Sequence, residues 1–92
     1  MNERIEAIVS GRVQMVMYRD FTQRKASGLK LSGEVRNLPD GTVEVVAEGP
    51  REKLERLVEK LHTGPVLARV DDVKVEWRPA SGTFSKFRIA YE

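Results

Sequence analysis

Apolar and polar residues alternate from Arg4 to Ser10, with Ile5, Ala7 and Val9 on one parity and Arg4, Glu6 and Ser10 on the other. A period of two is that of a half-buried strand, because successive side chains point to opposite faces. Residues 11–17 read as a loop. Tyr18, Phe21, Thr22, Ala26 and Leu29 then recur near helical spacing, and Gly28, which costs about 1 kcal/mol in a helix, places the helix end near Leu29. Val35 and Asn37 share one side of a short second strand. Leu38-Pro39-Asp40-Gly41 is a turn in which proline presets one torsion and Asp-Gly tolerates positive φ, so it closes a hairpin. The partner strand, Thr42 to Glu48, turns Val43, Val45 and Ala47 inward and Glu44 and Glu48 outward. Gly49-Pro50 opens a second helix, with Pro50 expected at the first helical position, where its missing N–H costs nothing. Leu54, Leu57, Val58 and Leu61 form its apolar stripe, and Gly64-Pro65 ends it. A fourth strand spans Val70 to Trp77 and a fifth Lys86 to Tyr91, with Phe87, Ile89 and Tyr91 expected inward.

The order is β-α-β-β-α-β plus a C-terminal strand. Each strand is apolar mainly on one face, which predicts an α+β fold with two helices on one face of an antiparallel sheet and the other face wet. A right-handed crossover from strand one to strand two leaves room for strand three between them. This is a ferredoxin-like two-layer sandwich. Strands one and two then run the same way, so the loop after Gly11 and the end of strand two at Asn37 emerge at the same edge. Two strand spacings separate them by roughly 10 Å, within reach of an arginine side chain. No linker, repeat or low-complexity stretch interrupts residues 1–92, which read as a single domain.

Composition narrows the chemistry. Charged residues make up 33%, yet 16 basic and 14 acidic side chains leave a net charge of only +2, so nucleic acid is not expected to be held by charge. The outer sheet face, with Glu6, Ile8, Glu44, Val46 and Glu48, is acidic and lacks the aromatics on which bases stack. There is no cysteine and one histidine, His62, so no metal site is expected; His62 reads as a cation in the last turn of the second helix. No apolar run approaches the ~18 residues of a membrane span, and the N-terminus lacks a signal-peptide profile, so a cytoplasmic domain without membrane contact is expected. Arg12, Trp77, Phe87 and the Asp71-Asp72 pair have ordinary surface or core readings.

One segment invites more. Gly11-Arg12-Val13-Gln14-Met15-Val16-Met17-Tyr18-Arg19 runs from a strand into a helix N-terminus, where unpaired N–H groups and the helix dipole favour an anion. Arg19 could clamp two phosphate oxygens with its planar guanidinium. By itself this is a candidate only, because strand-to-helix loops carrying an arginine are common.

The same residues resemble the signature of the acylphosphatase family, typically G-R-V-Q-G-V-G-F/Y-R. A second block of that family, G-x-V-x-N-x-x-D-G-x-V-E-V-x-x-x-G, is matched by Gly33, Val35, Asn37, Asp40, Gly41, Val43, Glu44, Val45 and Gly49. Gly64-Pro65, Ala68-Arg69-Val70 and the closing Phe87-x-Ile89-x-Tyr91 are also similar. The resemblance implies the fold derived above and hydrolysis of acyl phosphates to a carboxylate and inorganic phosphate by a monomer without metal or cofactor. It implies that Arg19 binds the phosphoryl group together with the N–H groups of Gln14, Met15, Val16, Met17, Tyr18 and Arg19, and that the Asn37 amide positions the attacking water.

Four positions depart from the pattern. Met15 and Met17 stand where the family usually has glycine, Lys30 where it commonly has glycine, and Glu34 where it often has tryptophan. If the backbone at Met15 and Met17 needs positive φ, methionine is strained there; if φ is negative, the two side chains extend the core or line an apolar rim. Two functions follow: an active hydrolase, or a domain that binds anions with little turnover.

Overall fold

A computed structural model describes residues 1–91. The elements are β1 (Asn2–Arg12), α1 (Tyr18–Gly28), β2 (Ser32–Asn37), β3 (Val43–Pro50), α2 (Arg51–Thr63), β4 (Arg69–Pro79) and β5 (Phe87–Ile89). The sheet order is β4-β1-β3-β2-β5, with β3 between β1 and β2 as the crossover requires. Ile5 faces Ala47, Ala7 faces Val45 and Val9 faces Val43 in the β1–β3 pair, and Val35 faces Val45 in the β2–β3 pair. These side chains share one parity and are fully buried against Leu54, Leu57 and Leu61 of α2 and Tyr18 and Ala26 of α1.

Several boundaries differ from the sequence expectation, each for a local reason. Pro50 is not the first helical residue: its ψ of 141° keeps it extended, so it ends β3 and flanks a helix that begins at Arg51. Four strands pair antiparallel, but β5 joins β2 in parallel, with Val35 opposite Ile89. It is also shorter than expected, and Tyr91 lies beyond it, exposed rather than inward. The hairpin turn forms as expected, with Gly41 N–H on Leu38 O at 3.1 Å and Leu38 N–H on Thr42 O at 2.9 Å. Lys30 follows α1 at φ 60°, the left-handed conformation in which glycine is cheaper.

The outer face is not uniformly wet. Glu48 is on that face by parity but is only 4% exposed, because residues 81–84 fold over it. Its carboxylate accepts from Ser81 N–H at 2.9 Å, Ser81 Oγ at 2.7 Å, Gly82 N–H at 3.0 Å and Arg4 Nη1 at 3.0 Å. Burial alone would raise its pKa. The Ser81 and Gly82 donors and the Arg4 guanidinium outweigh that and push it down to about 2. Arg4 also holds Glu6 at 2.9 Å and lies over the Phe84 ring at 5.7 Å, so one arginine joins β1, β3 and the strap.

A carboxylate whose pKa falls on folding stabilises the fold above its unfolded value of 4.5 and loses that contribution as pH drops toward 2. Glu48→Gln is expected to lower stability by about 3 kcal/mol at neutral pH, with the gap from wild type closing between pH 5 and pH 2. Urea titrations across that range read it directly.

Candidate active site

The loop between β1 and α1 begins at an irregularity in the β1–β4 pairing between Ser10 and Gly11. Gly11 has φ 123°, and a Cβ there would run into the Arg69 carbonyl, so glycine is required for this close approach. Beyond it the side chains divide. Val13, Val16 and Tyr18 are buried in the core, whereas Met15 is 99% and Met17 65% exposed. Met15 has φ 62° and Met17 φ 66°. The left-handed conformation costs a side-chain-bearing residue about 1–2 kcal/mol, so both positions are strained. Of the two alternatives left open by the sequence, the backbone takes the positive-φ one, and neither methionine extends the core.

This course leaves the amides of the loop unclaimed. α1 has no side-chain cap, and the first backbone bond at its start runs from Phe21 N–H to Met17 O at 3.0 Å. Among the described residues, the N–H groups of residues 14–19 find no acceptor. Successive amides in alternating conformations form a concavity that binds anions, and the helix dipole adds to it.

Two side chains hold the loop in place. The Tyr18 hydroxyl, buried in the core, donates to Leu61 O at 2.7 Å and ties the start of α1 to the end of α2. Burial pushes the phenol pKa up, so it stays neutral. Gln14 turns its carboxamide away from the loop: Nε2 donates to Leu38 O and Thr42 O, each at 2.8 Å. Its side chain therefore braces the β2–β3 turn. Of the predicted loop residues, Met15, Met17, Tyr18 and Arg19 line one cavity, whereas Gln14 and the buried Val16 do not.

The loop opens onto a cavity of about 510 Å³ lined by both Arg19 and Asn37, which the parallel course of β1 and β2 brings to one edge. Arg19, the second residue of α1, lies over the Tyr91 ring at 5.0 Å and has no carboxylate partner among the described residues. Asp20 also lines the cavity, but its charge is engaged by Arg24 at 3.0 Å. Asn37 ends β2, and its buried Oδ1 lacks a hydrogen-bond partner among the described residues. A buried acceptor without a partner is rare enough to mark a site that a ligand or water completes.

Val13, Ile89 and Tyr91 complete the walls and were not anticipated. The signal for Tyr91 was topological: β5 runs parallel to β2, so its continuation arrives at the edge where Asn37 sits. Elsewhere, His62 and Arg12 are exposed. The described residues contain no group of three metal-ligating side chains, and no helix is long and apolar enough to cross a membrane.

Comparison with known proteins decides the family. The acylphosphatase family model matches residues 5–89. The chain belongs to the acylphosphatase family. An acylphosphatase of Thermus thermophilus is 57% identical over 79 residues, 86% of this chain and 90% of that one. One from Salinibacter ruber is 47% identical over 87 residues, 95% of this chain and 92% of the other. The crystal structure of acylphosphatase from Bacillus subtilis superposes with a TM-score of 0.94 at 38% identity, covering 97% of this chain and 99% of that one.

The Gln14 brace makes a separate prediction. Gln14→Leu removes both donors while the Leu38 and Thr42 carbonyls each keep one backbone partner, so the loss is expected to be about 1–2 kcal/mol. Chemical denaturation measures it.

Proposed function

We propose that this chain hydrolyses acyl phosphates, holding the phosphoryl group in the amides of the 14–19 loop under Arg19 and orienting the attacking water with Asn37. The observation that carries this reading is the convergence, in one cavity, of Arg19 without an acidic partner among the described residues, a row of unclaimed amides and the Asn37 Oδ1. A phosphate dianion placed there meets N–H donors from below and a planar guanidinium from the side. The Tyr91 ring limits the directions Arg19 can take.

The chemistry asks for little more. Water attacks phosphorus, the bond from phosphorus to the carboxylate oxygen breaks, and the carboxylate leaves with the electron pair. Its conjugate acid has a pKa near ~4, so no general acid is required. The proton of the water passes to a phosphate oxygen, so that RCO–OPO₃²⁻ and H₂O become RCOO⁻ and H₂PO₄⁻. Phosphoryl transfer through a loose transition state depends on positioning and on stabilising charge at the equatorial oxygens, which fixed amides and a guanidinium supply. The Asn37 carbonyl oxygen accepts a hydrogen bond from the water and points its lone pair at phosphorus.

Turnover, rather than silent anion binding, is favoured because the curated relatives at 57% and 47% identity are acylphosphatases. The chain acts on a small molecule, as a cytoplasmic, single-domain monomer over residues 1–92 that needs no metal or cofactor for this step.

Hydrolysis of acetyl phosphate and benzoyl phosphate tests the reading. Arg19→Ala is expected to lower kcat/KM by at least ~10³, and Asn37→Ala by about 10²–10³. Inorganic phosphate should inhibit the wild type competitively, still bind Asn37→Ala and fail to bind Arg19→Ala. Wild-type protein no faster than buffer would refute the hydrolytic reading.

A further inference from the structure

The cavity is larger and more apolar than a phosphate ion requires. Its volume of about 510 Å³ lies within the roughly 300–1,000 Å³ of pockets that enclose a whole small ligand. Beyond its few polar groups, the walls are aliphatic, thioether and aromatic. Three apolar side chains stand at the mouth, well exposed: Met15 at 99%, Met17 at 65% and Tyr91 at 75%.

Neither methionine is explained by packing or by backbone. Their side chains lie outside the core, so they add nothing to its packing. Each occupies a left-handed conformation that a glycine would adopt without cost. Strain that the fold does not use is concentrated where a ligand would sit, as expected of binding residues. The position also fits. Met15 and Met17 both line the cavity that holds Arg19 and Asn37, and their side chains are open to solvent. Thioethers are polarizable, adapt to irregular shapes and make favourable contacts with aromatic rings. Tyr91 adds an aromatic ring to the same lining, with the Arg19 guanidinium over it.

We propose that Met15, Met17 and Tyr91 form the subsite for the acyl group, and that the two thioethers strengthen its selection of large apolar acyl groups, aromatic above all, over small ones such as acetyl. The inference rests on the hydrolytic reading above. With the phosphoryl group among the amides, the acyl carbon points outward and whatever it carries lies across the two thioethers and the tyrosine ring. An aromatic acyl group then takes its own surface and that of three exposed side chains out of water, whereas an acetyl group covers almost none of it.

The test compares benzoyl with acetyl phosphate in kcat/KM, for the wild type and the double variant Met15→Gln with Met17→Gln. Glutamine keeps the side-chain length but adds a polar amide, and both positions are exposed, so folding is not at stake. The wild type is expected to favour benzoyl phosphate by about tenfold or more, and the double variant by about threefold or less. Titration with benzylphosphonate and methylphosphonate gives a second readout that needs no turnover. Benzylphosphonate should bind the wild type about tenfold more tightly, and that ratio should shrink in the same variant. Equal affinity for the two phosphonates, or ratios unchanged by the substitutions, would overturn the subsite. Wild type that binds benzylphosphonate preferentially yet hydrolyses neither substrate would refute the hydrolytic reading while leaving the apolar subsite standing.

Discussion

A loop can keep its amides turned away from its own carbonyls only if something else fixes its course. Here three buried side chains do so. Val13, Val16 and Tyr18 are drawn into the core, and the residues between them are left to the outside. The hydrophobic effect thus sets the path of the main chain, and that path sets where the N–H groups point. Everything proposed for the site depends on this division. A loop without those anchors would satisfy its amides internally and offer an anion nothing.

The ion-pair network and the candidate site occupy opposite sides of the sheet. On one side the helices cover the aliphatic core, and the loop and cavity lie at its edge. On the other, ion pairs run across the strands, among them Arg4 with Glu6 and Glu48, Arg78 with Glu6, and Arg88 with Glu34. Exposed pairs of this kind contribute little individually. The buried Glu48 is different, because three of its four donors, from Ser81 and Gly82, hold down the segment that links β4 to β5. That segment delivers β5, and with it Tyr91, to the mouth of the cavity. An acidic residue on the far face therefore bears on the site indirectly.

The periodic parts of this fold were legible in the sequence because each element buries one face. The alternation of Ile5, Ala7 and Val9 and the leucine stripe of α2 specify both element type and orientation, and the right-handed crossover rule then places Arg19 and Asn37 at one edge. What the sequence concealed depends on contacts distant along the chain. Tyr91 shares parity with Phe87 and Ile89, so only the early end of β5 pairing turns it from core to rim. Glu48 reads as a solvated position because nothing in its own strand announces a strap some thirty residues later. Gln14 lies within a signature that resembles a phosphate loop, yet its carboxamide reaches Leu38 and Thr42, a pairing visible only in three dimensions. The φ angles of Met15 and Met17 were framed as an open alternative, and the backbone resolves it toward strain.

The Gln14 brace has a mechanical consequence. One end of it belongs to the segment proposed to hold the electrophile, and the other grips the hairpin that follows Asn37, the residue proposed to orient the nucleophile. On that reading the two halves of the reaction share a common bracket. Conversely, a change at the tip of that hairpin, far from any reacting atom, reaches the loop directly through this carboxamide.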